Sequence, residues 1–317
     1  MVKTLEGPGS IAETHPANQH PVRTCVIFNP AAKGDKARRF RQHLDAIGAR
    51  CALRPTSAAG EGRRLAAEAV REGFECVVAA GGDGTVNEVL NGIGDEPDGL
   101  AQVRLAVLPL GTVNVFAREL GLPLSLREAW GVLERGRETS VDLPSAEYTR
   151  AGQPSRRCFA QLAGAGLDAR AVELVDWGLK KRIGPLAYFA AGLKALREPQ
   201  GEITAAASGR TRSGELVLIG NGRLYGGAFP LFAQADLSDG LLDVRVFPRA
   251  DWRTALSCGW GIVTGRLAGA GGSENFRADR MNLTSSVRVP LQLDGEVVGE
   301  LPAAFEVRRQ ALRVIVP

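Results

Sequence analysis

Three apolar runs early in the chain each pass directly into a loop of small residues and then into a helical pattern. The first, 25–28, leads into Asn29, Pro30, Ala31, Ala32, Lys33 and Gly34. The second, 76–80, leads into Gly81-Gly82-Asp83-Gly84-Thr85-Val86-Asn87-Glu88. The third, 105–108, leads into Pro109-Leu110-Gly111-Thr112-Val113-Asn114-Val115. Strand, tight loop and helix repeated in this way predict an open parallel sheet, whose loops gather at the carboxyl edge where ligands bind. The middle loop is the most restrictive. Three glycines at a strand-to-helix junction let the main chain approach a ligand closely. The free N–H groups and positive dipole of the helix start favour an anion such as phosphate. Asp83 is placed to hold a metal ion or a polar network beside that anion, or simply to cap the helix. The loop is not a Walker A sequence, since no Gly-Lys-Ser/Thr closes it, and it is not GxGxxG.

The rest of the first half fits this scheme. Strands are predicted at 23–28, 50–54, 74–80 and 104–108, and helices at 35–47, 60–72, 113–120 and 125–135. They make residues 22–140 a doubly wound, Rossmann-like α/β domain. The character changes near 139–143. Short strands are predicted at 156–163, 202–208, 215–220, 242–247, 274–283, 286–293 and 304–307, with helical insertions at 168–177, 185–197 and 251–267. Residues 141–317 are therefore expected to form an antiparallel β-sandwich. The last apolar run, 311–316, fits either unit. Residues 1–21 are polar, lack the apolar core of a secretory signal, and are expected to be a disordered extension.

Composition narrows the partners. A net charge of +4 is too small to imply nucleic acid, and no base-stacking motif accompanies it. Five scattered cysteines without a CxxC pair predict free thiols in a reducing, cytoplasmic setting. No apolar run reaches the length of a membrane span.

Two later acidic stretches carry further chemistry. Asp236 and Asp239 lie in Ala235-Asp236-Leu237-Ser238-Asp239-Gly240-Leu241, either as oxygen ligands for a hard cation or as an ordinary Ser-Asp-Gly turn. Asp294 and Glu296 flank Gly295. In an extended segment, residues two apart share a side, so the two carboxylates converge. The alternative is a polar hairpin turn.

Taken together, the three loops, Gly226-Gly227-Ala228-Phe229 with the 235–244 stretch, and Leu293-Asp294-Gly295-Glu296 resemble the diacylglycerol kinases, sphingosine kinases and soluble YegS-type lipid kinases. The resemblance runs from about residue 23 to the end. The GGDGT block is shared with NAD kinases and phosphofructokinases, whereas the five blocks together are specific. The resemblance implies an NAD kinase/diacylglycerol kinase-like fold and transfer of the γ-phosphate of ATP to a lipid hydroxyl, as on diacylglycerol or a sphingoid base. It implies ATP contacts from Asn29, Pro30, Ala31, Ala32, Lys33, Thr56, Gly81, Gly82, Asp83, Gly84, Thr85, Asn87, Glu88, Gly111, Thr112 and Asn114. Thr56 is equally a residue near a helix start. Mg²⁺ would be held by Asp236, Asp239 and the main-chain oxygen of Leu241. Glu296 is the first choice as proton acceptor, with Asp294 next and Asp83 as the rival.

Two departures stand out: Lys33 precedes Gly34 where the family commonly has glycine directly, and Val115 follows Asn114 where Asp is commoner. A kinase of a soluble acceptor, as in NAD kinases, and a nucleotide- or lipid-binding regulator without catalysis are the competing functions. The lipid substrate implies transient, peripheral contact with a membrane surface. Lys180-Lys181-Arg182 and the amphipathic 185–197 stretch are the one membrane-flavoured segment, either a contact for an anionic bilayer or a helix packed on its own sheet, and a homodimer is left open.

Overall fold

The computed structural model describes residues 22–32, 34–175, 186–264 and 271–317. The predicted tail at 1–21 and Lys33 lie outside them, as do Lys180, Lys181 and Arg182.

The first half is the predicted parallel sheet. Strands β1 (Thr24–Phe28), β2 (Ala52–Pro55), β3 (Cys76–Gly81) and β4 (Arg104–Pro109) stand in the order β2-β1-β3-β4 and are parallel throughout. Their side chains alternate between two cores. Cys25, Ile27, Val77, Ala79, Leu105 and Val107 face one, with Leu65 of helix α3 (Glu61–Arg71) and Val86, Val89 and Leu90 of α4 (Asp83–Asp95). Val26, Phe28, Val78, Ala80, Ala106 and Leu108 face the other. There they meet Phe40 of α1 (Asp35–Arg41), Ile47 of α2 (Leu44–Gly48) and Ala129 of α7 (Leu126–Arg135). Two faces buried by helices on both sides explain why these strands read as unbroken apolar runs. Short helices α5 (Gly99–Gln102) and α6 (Val115–Glu119) complete this half.

The second half is an antiparallel sandwich. Its strands are β5 (Arg137–Arg150), β6 (Gln153–Cys158), β7 (Leu162–Gly166), β8 (Ile203–Ala207), β9 (Arg210–Gly214) and β10 (Leu216–Gly220), followed by the two-residue pair β11 (Leu224–Tyr225) and β12 (Phe229–Pro230). Then come β13 (Leu242–Phe247), β14 (Glu274–Ala278), β15 (Arg280–Thr284), β16 (Pro290–Leu293) and β17 (Glu296–Val316). Helices α8 (Leu167–Glu173), α9 (Leu186–Ala195) and α10 (Trp252–Thr264) are inserted among them. Ala163, Ile203, Val217, Val244, Leu283 and Leu291 share one core.

Several elements differ from expectation: the strand predicted over 156–163 spans the end of β6 and the start of β7, which are separate strands, and β5 and β9 were not predicted. The single helix predicted over 35–47 is two, because the main chain turns at His43, whose ψ of 8° is not helical. The strand predicted over 274–283 is two strands with different partners: β14 pairs with β13, whereas β15 pairs with β17 and β8. The pieces predicted at 304–307 and 311–316 belong to one 21-residue strand, β17. The polar residues between them are accommodated by a bulge against β5, where Gln310 takes a φ of 49° and donates its N–H to Asp142. Past the bulge, Val314 pairs in parallel with Leu105 of β4. The last strand thus closes the first half's sheet, and β5 beside it runs through both halves.

Leu312, 1% exposed, sits in the core of the first half. Leu312→Ala is expected to cost about 2–5 kcal/mol by urea denaturation. A loss below about 0.5 kcal/mol would mean that the terminal strand does not hold this core.

Candidate active site

The second and third loops meet at the carboxyl edge of the parallel sheet. Leu110 and Gly111 both donate their N–H groups to the carbonyl of Gly81, at 2.9 and 3.2 Å. A Cβ on Gly111 would lie 2.5 Å from the Cα of Gly82, so the loops touch glycine on glycine. A Cβ on Gly81 would collide with the Thr85 side chain. Gly82 itself is extended, with φ −95°, so its need for glycine comes from the approach of Gly111 and not from a left-handed backbone. Gly84 is exposed, and no atom lies within 4 Å of where its Cβ would be. Helix α4 begins here, and the N–H groups of its first turn lack intrahelical partners. Asn114, in the left-handed region at φ 54°, donates to the Gly111 carbonyl at 2.8 Å. Its Oδ1 is buried without a hydrogen-bond donor. The open glycine turn at the helix start suits a phosphate-bearing ligand.

The other expected ATP contacts divide. Asn29 turns the first loop by accepting the Ala31 N–H at 2.8 Å, and Arg41 ties the Pro30 and Ala32 carbonyls down. Thr56, buried, extends β2 by donating its N–H to Phe28. Thr112 is exposed. Glu88 accepts the Gly60 and Gly62 N–H groups at 2.7 and 2.8 Å and so caps α3. Asn87 faces the second half of the molecule.

Asn87 is one part of a network joining the halves. Its Nδ2 donates to Asp294 Oδ2 at 2.8 Å, and its Oδ1 accepts from Arg157 Nε at 2.7 Å. Arg157 Nη2 in turn reaches Glu296 at 2.8 Å. One turn further along α4, Asn91 brackets Cys158, accepting its N–H and donating to its carbonyl. The glycine loop and the 294–296 hairpin therefore share one side of the molecule.

The three carboxylates occupy different environments. Asp294 sits at φ 49° and accepts the N–H groups of Ala160, Gln161 and Leu162 at 2.7–3.0 Å besides the Asn87 amide. Its lone pairs are occupied, which suits holding a turn more than taking a proton. Glu296 has a side chain 58% exposed and pairs with Arg157 through Oε2. Asp83 accepts the Phe116 N–H at 3.1 Å and caps α6. Burial pushes its pKa up, main-chain hydrogen bonds from Phe116 and Val115 oppose that, and the nearby Asp294 charge adds to the rise. At Val115 the main chain, not the side chain, thus serves Asp83.

Residues 23–146 match the model of the diacylglycerol kinase catalytic domain, and residues 161–316 match the YegS C-terminal NAD kinase beta sandwich-like domain. The "Probable lipid kinase YegS-like" of Pseudomonas aeruginosa (strain UCBPP-PA14) is 33% identical over 304 residues, 92% of this chain and 93% of that one. The chain belongs to the diacylglycerol kinase/YegS lipid kinase family. The diacylglycerol kinase of Staphylococcus carnosus (strain TM300) is 28% identical over 308 residues, 93% of this chain and 95% of that one. A solved diacylglycerol kinase structure from Bacillus anthracis str. Sterne superposes with a TM-score of 0.66 at 20% identity, covering 93% of this chain and 97% of that one. A second from the same strain reaches 0.75 at 22%, covering 93% and 98%. These two likenesses bear on the fold alone.

Within this family member several buried polar residues escaped the sequence reading. Asp142, 1% exposed, accepts the N–H groups of Gly240 and Gln310 at 2.6 and 2.7 Å and anchors the acidic turn. Glu119 joins the halves by accepting from Gln161 and from the Leu224 N–H, each at 2.9 Å. Asp168 accepts from Tyr225 at 2.6 Å and Gln292 at 2.8 Å, and burial raises the pKa of both Asp168 and Tyr225. A charged residue inside an apolar run, such as Asp142 between Val141 and Leu143, was the available signal.

The acidic turn offers Asp236, Asp239 and the Leu241 carbonyl, which are oxygen donors of the kind a hard divalent cation takes. Asp236 is held by the Ser238 hydroxyl and N–H, which lower its pKa. Asp239 is bound by the Arg277 guanidinium, which also reaches Asp243 at 3.0 Å. Among the described residues no group of three or more His, Cys, Asp or Glu is arranged around one point. The donors fit a metal in kind, and a cation there would compete with Arg277. In Arg277→Met that competition is gone, so the Mg²⁺ concentration giving half of the Mg²⁺-dependent rise in Tm should fall about tenfold. An unchanged Mg²⁺ response would remove Asp236 and Asp239 as ligands.

Proposed function

We propose that this protein is an ATP-dependent lipid kinase, transferring the γ-phosphate of ATP to a hydroxyl of a lipid such as diacylglycerol or a sphingoid base. One observation carries the reading. The glycine loops meet at Gly82 and Gly111, next to the open Gly84 turn that starts α4, and the Asn87–Asp294 and Arg157–Glu296 contacts bring an acidic hairpin to the same junction. The family membership supports it.

Phosphoryl transfer needs the donor held, charge neutralised and the acceptor aligned. The N–H groups at the start of α4 bind the phosphates, and Asn114 holds the third loop in place through its bond to the Gly111 carbonyl. Gly82 and Gly111 leave room for this. Asp294 fixes the hairpin through its three main-chain bonds. Arg157 orients Glu296, which accepts the proton of the attacking hydroxyl through its other oxygen. Asp236, Asp239 and the Leu241 carbonyl would hold Mg²⁺, which when bound offsets the phosphate charge. Residues 22–140 carry the nucleotide and 141–317 the acceptor, at a membrane surface visited transiently.

A panel of micellar lipids with labelled ATP tests the reading. Glu296→Gln should lower turnover ~10²–10⁴-fold with ATP affinity unchanged, as expected for loss of a general base. Near-full turnover in Glu296→Gln with none in Asp83→Asn would move the base to the glycine loop. Phosphorylation of soluble acceptors only would favour the NAD kinase-like alternative. ATP binding without any transfer would favour a regulator.

A further inference from the structure

Helix α10 carries an apolar face that the fold leaves in solvent. Trp252, Leu256 and Trp260 are 61%, 64% and 70% exposed. Their four-residue spacing sets them along one side of the helix. The opposite side is the one that packs: Gly261 is buried, and Cys258 lies against the cluster of Leu216, Leu218 and Phe247. The helix is therefore seated on its own sheet and keeps a second apolar face outward. This is the reverse of an ordinary surface helix, whose outer face is polar. Its residue types are informative. Two of the chain's four tryptophans are here, and indole rings favour the headgroup level of a bilayer, where an apolar body and a polar N–H are both accommodated.

The charges beside this face are mixed but unequal in availability. Arg253 is exposed and its guanidinium stacks 5.3 Å from the Trp252 ring. Arg249, just before the helix, has a side chain 78% exposed that lies 4.0 Å from Glu215, a loose pair that leaves most of its guanidinium in solvent. The one nearby acid on the same segment, Asp251, is engaged in accepting the Thr254 N–H at 2.9 Å. Exposed cations beside tryptophan complement an anionic lipid surface. No helix among the described residues is long and apolar enough to cross a membrane, and an outward apolar face of this kind is what a peripheral contact uses.

We infer that α10 docks the protein on anionic bilayers, with Trp252, Leu256 and Trp260 entering the interface and Arg249 and Arg253 meeting lipid phosphates. The inference rests on the lipid kinase reading and names the surface through which that reading works. It assigns a contact to 252–260 in addition to any made by the 180–197 stretch, whose residues 180–185 lie outside the described ones.

The full chain is tested by co-sedimentation with phosphatidylglycerol/phosphatidylcholine vesicles, without ATP or substrate. Leu256→Ser with Trp260→Ser should weaken vesicle binding ~10–100-fold, the loss expected for two apolar side chains. Arg253→Glu should weaken binding to these vesicles and leave the small affinity for pure phosphatidylcholine unchanged. Both variants should phosphorylate lipid dispersed in detergent micelles at the wild-type rate, which also reports that they fold. Unaltered vesicle binding in Leu256→Ser/Trp260→Ser overturns the inference. So does a fall in sedimenting mass from dimer to monomer with vesicle binding unchanged, which would make the face a contact between two copies. Failure of the wild type to phosphorylate any micellar lipid sinks the kinase reading instead, whatever the vesicle result.

Discussion

The carboxylate of Asp294 is the point on which the site depends. It accepts three successive main-chain N–H groups, from Ala160, Gln161 and Leu162, and a fourth donor from Asn87 of the glycine-loop helix. A carboxylate with this many donors is a strong local anchor, since each bond to a charged acceptor contributes about 1.5–3 kcal/mol. It ties the turn between β6 and β7, the hairpin between β16 and β17, and α4 into one junction. The glycine loop of a parallel sheet and the acidic hairpin of a sandwich would otherwise be independent features. Through Asp294, Asn87 and Arg157 they become two walls of the same place.

The long strand β17 makes the same connection covalently. It starts at Glu296, in the site, and ends at Val316, beside β4. A residue of the acidic hairpin and a core residue of the parallel-sheet half therefore belong to one continuous element. The proposed division of the chain into a phosphate-holding half and an acceptor-holding half is chemical more than mechanical. Each half is stabilised partly by the other, through β5, β17 and the Glu119–Gln161 and Asn91–Cys158 contacts.

Much of this was legible in the sequence. Apolar runs such as 76–80 have every side chain buried between helix layers, and that environment writes itself as an unbroken apolar string. Glycine loops are legible because close approach excludes other residues, as Gly111 against the Gly82 main chain illustrates. Partner choice was not legible. Nothing local at 274–283 says that the first half pairs with β13 and the second with β17 and β8. The protein partners of Asn87 were not legible either: only the fold brings Arg157 and Asp294 to its side chain. Glu88 resembles a ligand residue in sequence, yet its carboxylate caps α3 by accepting two N–H groups.

The central claim is that the nucleotide phosphates lie on the glycine loops at this junction. Isothermal titration of ATP against the wild type and Gly82→Val tests it directly. A valine there would place its Cβ 3.3 Å from the Gly111 main chain and its branches in the space assigned to phosphate. The account predicts at least ~100-fold weaker ATP binding, the loss of about 2.7 kcal/mol, with the circular dichroism of the folded protein retained. ATP affinity within about twofold of wild type in a folded Gly82→Val would contradict it.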